Sequence, residues 1–129
     1  MGFISTKTHG ISDCLMVLAF LFAPRIFHFD AHLVSSMAIL AGVVVSYSLL
    51  TRYEWGIVSL IPTRLHLIFD CLIGIGMFFL PLFTNVSLRQ GYLLIAFGIF
   101  FIFCALLTPT RSPHEKKRFK NSLRARKMA

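Results

Sequence analysis

Residues 63–72 read TRLHLIFDCL, and residues 6–15 read TKTHGISDCL. Six of these ten positions are identical at an offset of 57 residues, and the second position is basic in both segments. The same offset aligns further positions without a gap: Phe22 with Phe79, Pro24 with Pro81, and residues 49–51 with residues 106–108. This self-similarity predicts an internal duplication of a unit of about 45–50 residues.

The composition excludes a water-soluble domain of this length. The chain has 129 residues, of which 57% are hydrophobic and 14% charged, and a soluble fold of that size cannot bury so much apolar surface. The apolar residues form uncharged blocks close to the 20 residues or so that cross a bilayer as a helix. The sequence therefore predicts an all-α membrane protein with four transmembrane helices, at residues 9–29, 32–51, 64–84 and 89–108.

The duplication also predicts how these helices are arranged. Each repeat contains two helices, so both repeats insert in the same direction. We expect a tandem duplication of a two-helix hairpin, with parallel repeats related by a pseudo-two-fold axis along the membrane normal. The transmembrane domain covers residues 1–108, with repeat 1 at about 5–51 and repeat 2 at about 62–108. A basic cytoplasmic tail follows at residues 109–129.

The net charge of +8 is unevenly distributed, because eight of the 13 basic residues follow the last predicted helix. Lys7, Arg52 and Arg64 fall on the same side of the membrane as this tail, whereas Arg25 and Arg89 fall on the other. The positive-inside rule then predicts a multi-pass protein of the inner (plasma) membrane with both termini in the cytoplasm.

The basic tail is expected to meet anionic lipid headgroups, since juxtamembrane basic clusters are attracted to them. A nucleic-acid partner is disfavoured because the membrane already supplies an anionic surface. Residues 51–55, which include Tyr53 and Trp55, are predicted to lie at the headgroup level. The tail residues assigned to lipid headgroups are Lys116, Lys117, Arg118, Lys120, Arg124, Arg126 and Lys127.

Two histidine–aspartate pairs, His9 with Asp13 and His66 with Asp70, are each spaced to share one helical face. Ionisable groups within a membrane are costly unless they are paired and face inward, so the pattern predicts a polar cluster in the bundle. We call these four residues the His/Asp cluster. A functional interpretation is a proton relay or a divalent-metal site. The favoured interpretation is structural, in which each pair caps its own helix and pins the neighbouring hairpin, and no metal or cofactor is bound.

Small residues at helical spacing predict faces where helices approach closely. Such faces can join helices of one chain, a second copy of it, or a partner membrane protein. The residues that define them are Ala38, Gly42 and Ser46 in the second helix, and Gly91, Gly98 and Ala105 in the fourth.

Two other groups of chemically versatile residues are expected to be structural. Cys14, Cys71 and Cys104 show no C-x-x-C spacing and are predicted to pack as small hydrophobic residues. Residues 28–32 read HFDAH, lack a counterpart in the second repeat, and are predicted to form a solvated turn rather than a metal site.

The matched segments at residues 6–13 and 63–70, with a proline after each, resemble the SPW-repeat family of small four-helix bacterial membrane proteins. The resemblance covers about residues 4–108 and implies an inner-membrane protein built from tandem repeats. Of the family's Ser-Pro-Trp signature the chain retains only Pro24 and Pro81. The resemblance implies little about activity, because the family has no established biochemical function to carry over.

The sequence predicts a non-enzymatic protein, since it contains no Ser/His/Asp set, no H-E-x-x-H motif and no clustered carboxylates. The favoured function is a structural or accessory membrane element that acts through helix–helix association. The alternative is a small proton- or cation-linked transporter or channel that uses the His/Asp cluster as an oligomer. The scarcity of polar residues deep in the predicted helices disfavours this alternative.

Overall fold

The computed structural model describes residues 3–52, 57–58 and 60–128, apart from the side chain of His114. In this part of the chain the named elements are five helices: α1 Thr6–Ile26, α2 Ala31–Leu50, α3 Thr63–Phe83, α4 Leu88–Leu107 and α5 Pro113–Met128. Helices α1 to α4 are each long and apolar enough to span a membrane. The prediction of an all-helical chain with four such helices is therefore confirmed, as expected of a multi-pass membrane protein. Tyr53 and Trp55, predicted to be interfacial, lie outside the described residues.

Polar side chains set the starts of three of the four apolar helices. The Ser5 side chain accepts a hydrogen bond from the Thr8 backbone N–H, at 3.1 Å, so α1 begins three residues before the predicted position. Asp30 accepts from the Leu33 N–H at 2.9 Å and caps α2. Ser87 forms a capping box with Gln90 at the start of α4. The observed bounds of α2, α3 and α4 lie within one residue of the predicted ones.

The four apolar helices form two hairpins, because four-residue connections join α1 to α2 and α3 to α4. These connections define the hairpin-loop end of the bundle. At the opposite end, which carries α5 and which we call the α5 end, backbone hydrogen bonds join the hairpins. The Ile4 N–H donates to the Leu107 carbonyl at 3.1 Å, and the Ile61 N–H donates to the Leu50 carbonyl at 2.8 Å.

Helices α3 and α4 approach most closely at Gly74 and Gly98. A Cβ atom added to Gly98 would lie 2.5 Å from the Gly74 carbonyl oxygen, and one added to Gly74 would lie 2.8 Å from the Gly98 carbonyl oxygen. Neither position has room for a side chain, so the two backbones meet directly. Beside this contact, the ring of Phe20 from α1 stacks on that of Phe101, with centroids 5.7 Å apart.

The residues predicted for helix packing divide between the two helices. In α4, Gly91, Gly98 and Ala105 are all buried within the chain. In α2, Ala38 is half-buried, whereas Gly42 and Ser46 are exposed. A Cβ added to Gly42 would meet no heavy atom of the described chain within 4 Å. The predicted contact at Gly42 is therefore not made within one chain, and for contacts between chains it stays a prediction.

The basic tail folds into α5 rather than remaining irregular. The Ser112 N–H donates to Glu115 Oε2 at 3.1 Å, and the Glu115 N–H donates to Ser112 Oγ at 3.3 Å, which forms a capping box. Glu115 Oε1 also accepts from the Thr63 N–H at 3.2 Å, where Pro62 supplies no capping side chain for α3. One carboxylate therefore serves two helix starts. The seven basic residues predicted to meet lipid headgroups are all exposed on this helix, and that contact stays a prediction.

Candidate functional site

The structure brings all four residues of the His/Asp cluster together at the α5 end. Each histidine is the fourth residue of its helix, and each aspartate lies one turn further on. At a rise of about 1.5 Å per residue, the cluster sits roughly 5–10 Å inside the helix starts. The exposed fractions are 3% for His9, 4% for Asp13, and 0% for His66 and Asp70. The cluster is therefore a buried polar centre between α1 and α3.

His9 lies closer to the aspartate of the other helix than to that of its own, and His66 lies about equally close to both aspartates. His9 Nε2 is 2.8 Å from Asp70 Oδ2 and 3.6 Å from Asp13 Oδ1. His66 Nε2 is 3.1 Å from Asp13 Oδ2 and 3.2 Å from Asp70 Oδ2. The contacts therefore join α1 to α3.

The expected contact of each pair with the neighbouring hairpin is made, whereas the capping falls to other residues. The aspartates lie at the eighth helical position, beyond the first-turn N–H groups that a cap satisfies. One such group in each helix is served elsewhere: the Thr8 N–H by Ser5 in α1 and the Thr63 N–H by Glu115 in α3. The cluster is consequently available for contacts between helices.

The two imidazoles face each other through the same ring atom. His9 Nε2 and His66 Nε2 are 3.3 Å apart, with the ring planes inclined at 73°. One nitrogen or oxygen atom from each of the four residues lies within 4.8 Å of all the others. A centre of two imidazoles and two carboxylates can hold protons or coordinate a divalent cation.

A threonine at the end of α2 fixes the orientation of one imidazole. Thr51 Oγ1 donates its hydrogen to the Tyr47 carbonyl at 2.6 Å and lies 3.0 Å from His66 Nδ1. A hydroxyl has one hydrogen to donate, so Oγ1 accepts at the second contact and His66 Nδ1 is the donor.

A second threonine, at the end of α4, makes the equivalent pair of bonds. Thr108 Oγ1 donates to the Cys104 carbonyl at 2.6 Å and lies 3.1 Å from His9 Nδ1. His9 Nδ1 therefore also carries a proton. Both imidazoles consequently turn Nε2 toward the centre of the cluster.

Both carboxylates accept hydrogen bonds from α2. The Tyr47 hydroxyl donates to Asp70 Oδ1 at 2.5 Å, and Ser48 Oγ donates to Asp13 Oδ2 at 3.0 Å. Among the described residues, no buried side-chain nitrogen or oxygen atom lacks a hydrogen-bond partner. Such a fully satisfied network at low dielectric holds its members in fixed positions.

Sequence reasoning did not assign Tyr47, Ser48, Thr51 or Thr108 to this site. A usable signal was present for the threonines, which are 57 residues apart and end two matched Leu-Leu-Thr runs. Tyr47 has no such signal, because the same offset places Cys104 opposite it.

The other versatile residues lie elsewhere. His28, Asp30 and His32 are exposed at the hairpin-loop end, where Asp30 caps α2. The three cysteines are free thiols: Cys14 is exposed, Cys71 half-buried and Cys104 buried.

No family model, curated protein or solved structure matches this chain. The resemblance to the SPW-repeat family therefore stays a prediction. The geometry of the His/Asp cluster is the main guide to function.

Proposed function

We propose that this chain is a non-enzymatic integral membrane protein, a structural or accessory element, whose two hairpins are held together by the His/Asp cluster. The observation that carries this proposal is the crossed pairing, His9 with Asp70 and His66 with Asp13, between α1 and α3. The four side chains are at most 4% exposed, which leaves little access for a substrate and supports a structural role.

The packing of the helices explains why such a link is needed. Helix α1 packs mainly on α2, and α3 packs mainly on α4. The contacts within each hairpin are therefore more extensive than those between the hairpins. Four buried ionisable groups that bond across the divide supply specific contacts where apolar packing is weaker. Removal of one member leaves the others buried without compensation, at a cost of about 3–5 kcal/mol.

The proposal includes the tandem-repeat architecture with a pseudo-two-fold axis along the membrane normal. This architecture is supported by the hydrogen bonds on the two sides of the cluster, which are made by residues that lie 57 positions apart in the sequence. His9 bonds to Thr108, and His66 bonds to Thr51. Two of the backbone bonds that join the hairpins at the α5 end, Ile4 N–H to Leu107 and Ile61 N–H to Leu50, also obey this offset.

The distribution of basic residues supports an inner-membrane location with both termini in the cytoplasm. In that orientation the α5 end faces the cytoplasm, and the exposed basic residues of α5 meet anionic headgroups. The exposed face of α2 at Gly42 and Ser46 associates with a second copy of the chain or with a partner membrane helix.

The alternative, a proton- or cation-linked transporter, needs a polar path across the bundle. All buried polar side chains of the described residues lie at the α5 end: Thr6, His9, Asp13, Thr51, Thr63, His66, Asp70, Thr108 and Ser112. Beyond Asp13 and Asp70, therefore, no buried polar group of the described chain continues toward the hairpin-loop end. This observation favours the structural function.

The proposal is tested by production of the two hairpins as separate chains, divided within residues 53–56. We expect the hairpins to co-purify in mild detergent, and Asp13→Ala with Asp70→Ala to abolish co-purification. Gly42→Ala, which changes an open position, is the matched control and should leave co-purification intact. Equal recovery of the complex with and without the two aspartates would refute the proposal.

A flux assay distinguishes the structural function from the transporter alternative. Purified chain in proteoliposomes should carry no proton or cation current above that of empty vesicles. A current that disappears in Asp13→Asn would instead support the transporter.

A further inference from the structure

We infer that the His/Asp cluster is a metal site that binds one divalent first-row transition-metal ion, with Zn²⁺ as the favoured ion. The ligands are His9 Nε2, His66 Nε2 and one carboxylate oxygen each from Asp13 and Asp70. This inference deepens the role proposed above for the cluster and rests on it. It replaces the sequence-based expectation that no metal is bound.

The spacing of most of the ligand atoms is close to that of a tetrahedral site. With metal–ligand distances of about 2.0–2.1 Å, adjacent ligand atoms of a tetrahedron are about 3.3–3.4 Å apart. The two Nε2 atoms are 3.3 Å apart, and three of the nitrogen–oxygen separations are 2.8, 3.1 and 3.2 Å. These four separations join one set of ligand atoms, with Asp13 contributing Oδ2, and account for four of the six edges of a tetrahedron. All four ligand atoms lie within 4.8 Å of one another, so binding of the ion requires a small inward shift of the Asp13 carboxylate.

The threonine bonds give both imidazoles the tautomer that a metal needs. Because Nδ1 donates to Thr51 in His66 and to Thr108 in His9, a ring that gives up its other proton keeps its lone pair on Nε2. The two Nε2 atoms are 3.3 Å apart, so with both protons gone their lone pairs repel unless a metal ion takes the protons' place. A metal-bound histidine typically donates its other ring N–H to an oxygen atom in this way.

The charges balance within the cluster. Two carboxylates and two neutral imidazoles carry a charge of −2, which one divalent cation neutralises in a buried site where net charge is costly. The Tyr47 hydroxyl on Asp70 and the Ser48 hydroxyl on Asp13 orient the carboxylates, as outer-shell donors do in metal sites.

The donor set selects the class of metal. Imidazole with carboxylate suits Zn²⁺ and its first-row neighbours, whereas Ca²⁺ and Mg²⁺ prefer oxygen ligands in larger number. Four protein ligands complete a tetrahedron, as in structural zinc sites, and leave no position for substrate. A groove between α1 and α2, of about 290 Å³ and lined by Asp13, Cys14 and Ser48, lies beside the cluster.

The test begins with the full-length protein in detergent, stripped with a chelator and then titrated with Zn²⁺. We expect one Zn²⁺ per chain by elemental analysis and a rise in melting temperature that is complete at one equivalent. Mg²⁺ and Ca²⁺ should cause no rise. Co²⁺ used as a spectroscopic probe should give the intense visible absorption of a tetrahedral ion.

Two kinds of variant localise the ion. Asp13→Asn with Asp70→Asn, which preserves side-chain shape, should abolish the Co²⁺ spectrum. Thr108→Val retains every ligand and removes only an outer-shell partner, so Zn²⁺ affinity should fall about 10–100-fold. His28→Ala with His32→Ala alters the exposed histidines of the hairpin-loop end and should change neither readout.

The outcomes separate this inference from the proposal on which it rests. If the folded protein binds no stoichiometric Zn²⁺ and gives no tetrahedral Co²⁺ spectrum, the metal site is refuted. In that case the structural role of the cluster stands if the hairpins still need Asp13 and Asp70 to co-purify, and falls if they do not. Binding that is lost in the His28/His32 variant would also refute the site.

Discussion

Both ends of the bundle carry at least two histidines and one aspartate, yet the structure uses them differently. At the α5 end the His/Asp cluster is buried, joins α1 to α3, and accepts hydrogen bonds from or donates them to hydroxyl groups of the surrounding residues. At the hairpin-loop end His28, Asp30 and His32 are exposed. Identical residue types therefore form a centre only where two helices converge and hydroxyl groups fix the rings.

The local backbone accounts for much of this difference. At the hairpin-loop end the carboxylate of Asp30 is directed at the Leu33 N–H to cap α2, and His28 occupies the left-handed region with φ of 53°. These residues shape a turn. At the α5 end other residues cap the helices, which leaves the cluster's side chains free to meet across the bundle.

The largest expected difference in unfolding free energy is between substitutions of one aspartate from each end of the bundle. Asp70→Ala should lower the free energy of unfolding by about 3–5 kcal/mol, because two buried histidines lose a partner. Asp30→Ala removes an exposed helix cap and should cost about 1 kcal/mol. Unfolding in mixed detergent micelles measures both. Similar losses in the two variants would show that the ends do not differ as proposed.

A variant at mid-helix separates apolar packing from polar bonding. Gly98→Ala places a Cβ against the Gly74 backbone and should destabilise by about 1–3 kcal/mol through overpacking. The strained contact falls on Gly74, which is four residues, or about 6 Å, along α3 from Asp70. Its effect should therefore couple with that of Asp70→Ala rather than add to it.

Gly42→Ala is the matched control, since the new methyl group meets open space and should leave the unfolding free energy of one chain unchanged. Equal destabilisation by the two alanine substitutions would contradict the packing described for α3 and α4.

The smallest expected effects are those of substitutions at two residues that link different helices or loops, one at each end of the bundle. Half-buried Glu115 caps α5 and accepts from the Thr63 N–H, so Glu115→Ala should cost about 1–2 kcal/mol. Gln90 caps α4 and donates to the carbonyls of Phe27 and His28 at the other end. Because these bonds are exposed, Gln90→Ala should cost about 0.5–1 kcal/mol.

Thermal unfolding of Glu115→Ala and Gln90→Ala in one detergent compares them directly. The expected order is a lower melting temperature for Glu115→Ala. The reverse order would indicate that the hairpin-loop end is the more tightly linked of the two.

Hydropathy was sufficient to predict the four long helices, because uncharged runs of this length have few alternatives to a membrane span. The spacing of four residues also placed each His–Asp pair on one helical face. Spacing within a helix does not determine how two helices are rotated against each other, so the crossed pairing could not be predicted.

Two features of the structure, the start of α5 and the threonines beside the cluster, are indicated by sequence patterns. The charged or apolar composition around each pattern makes it hard to recognise. The run Ser112-Pro113-His114-Glu115 has the S-x-x-E pattern of a capping box, which predicts a helix start at the tail. The dense positive charge of this segment, however, points to lipid contact rather than to a helix start. The matched threonines at 51 and 108 follow apolar residues, so their sequence context indicates duplication but not a role in a polar site.

The most direct measurement of the central claim is a double-mutant cycle on His9→Ala and Asp70→Ala, with unfolding free energies determined in detergent micelles. These residues lie on different hairpins and are joined at 2.8 Å. The account predicts that the two losses are strongly non-additive, with a coupling free energy of about 1–3 kcal/mol. Losses that add to within about 0.5 kcal/mol would mean that the residues act independently, and the cluster would not be what holds the hairpins together.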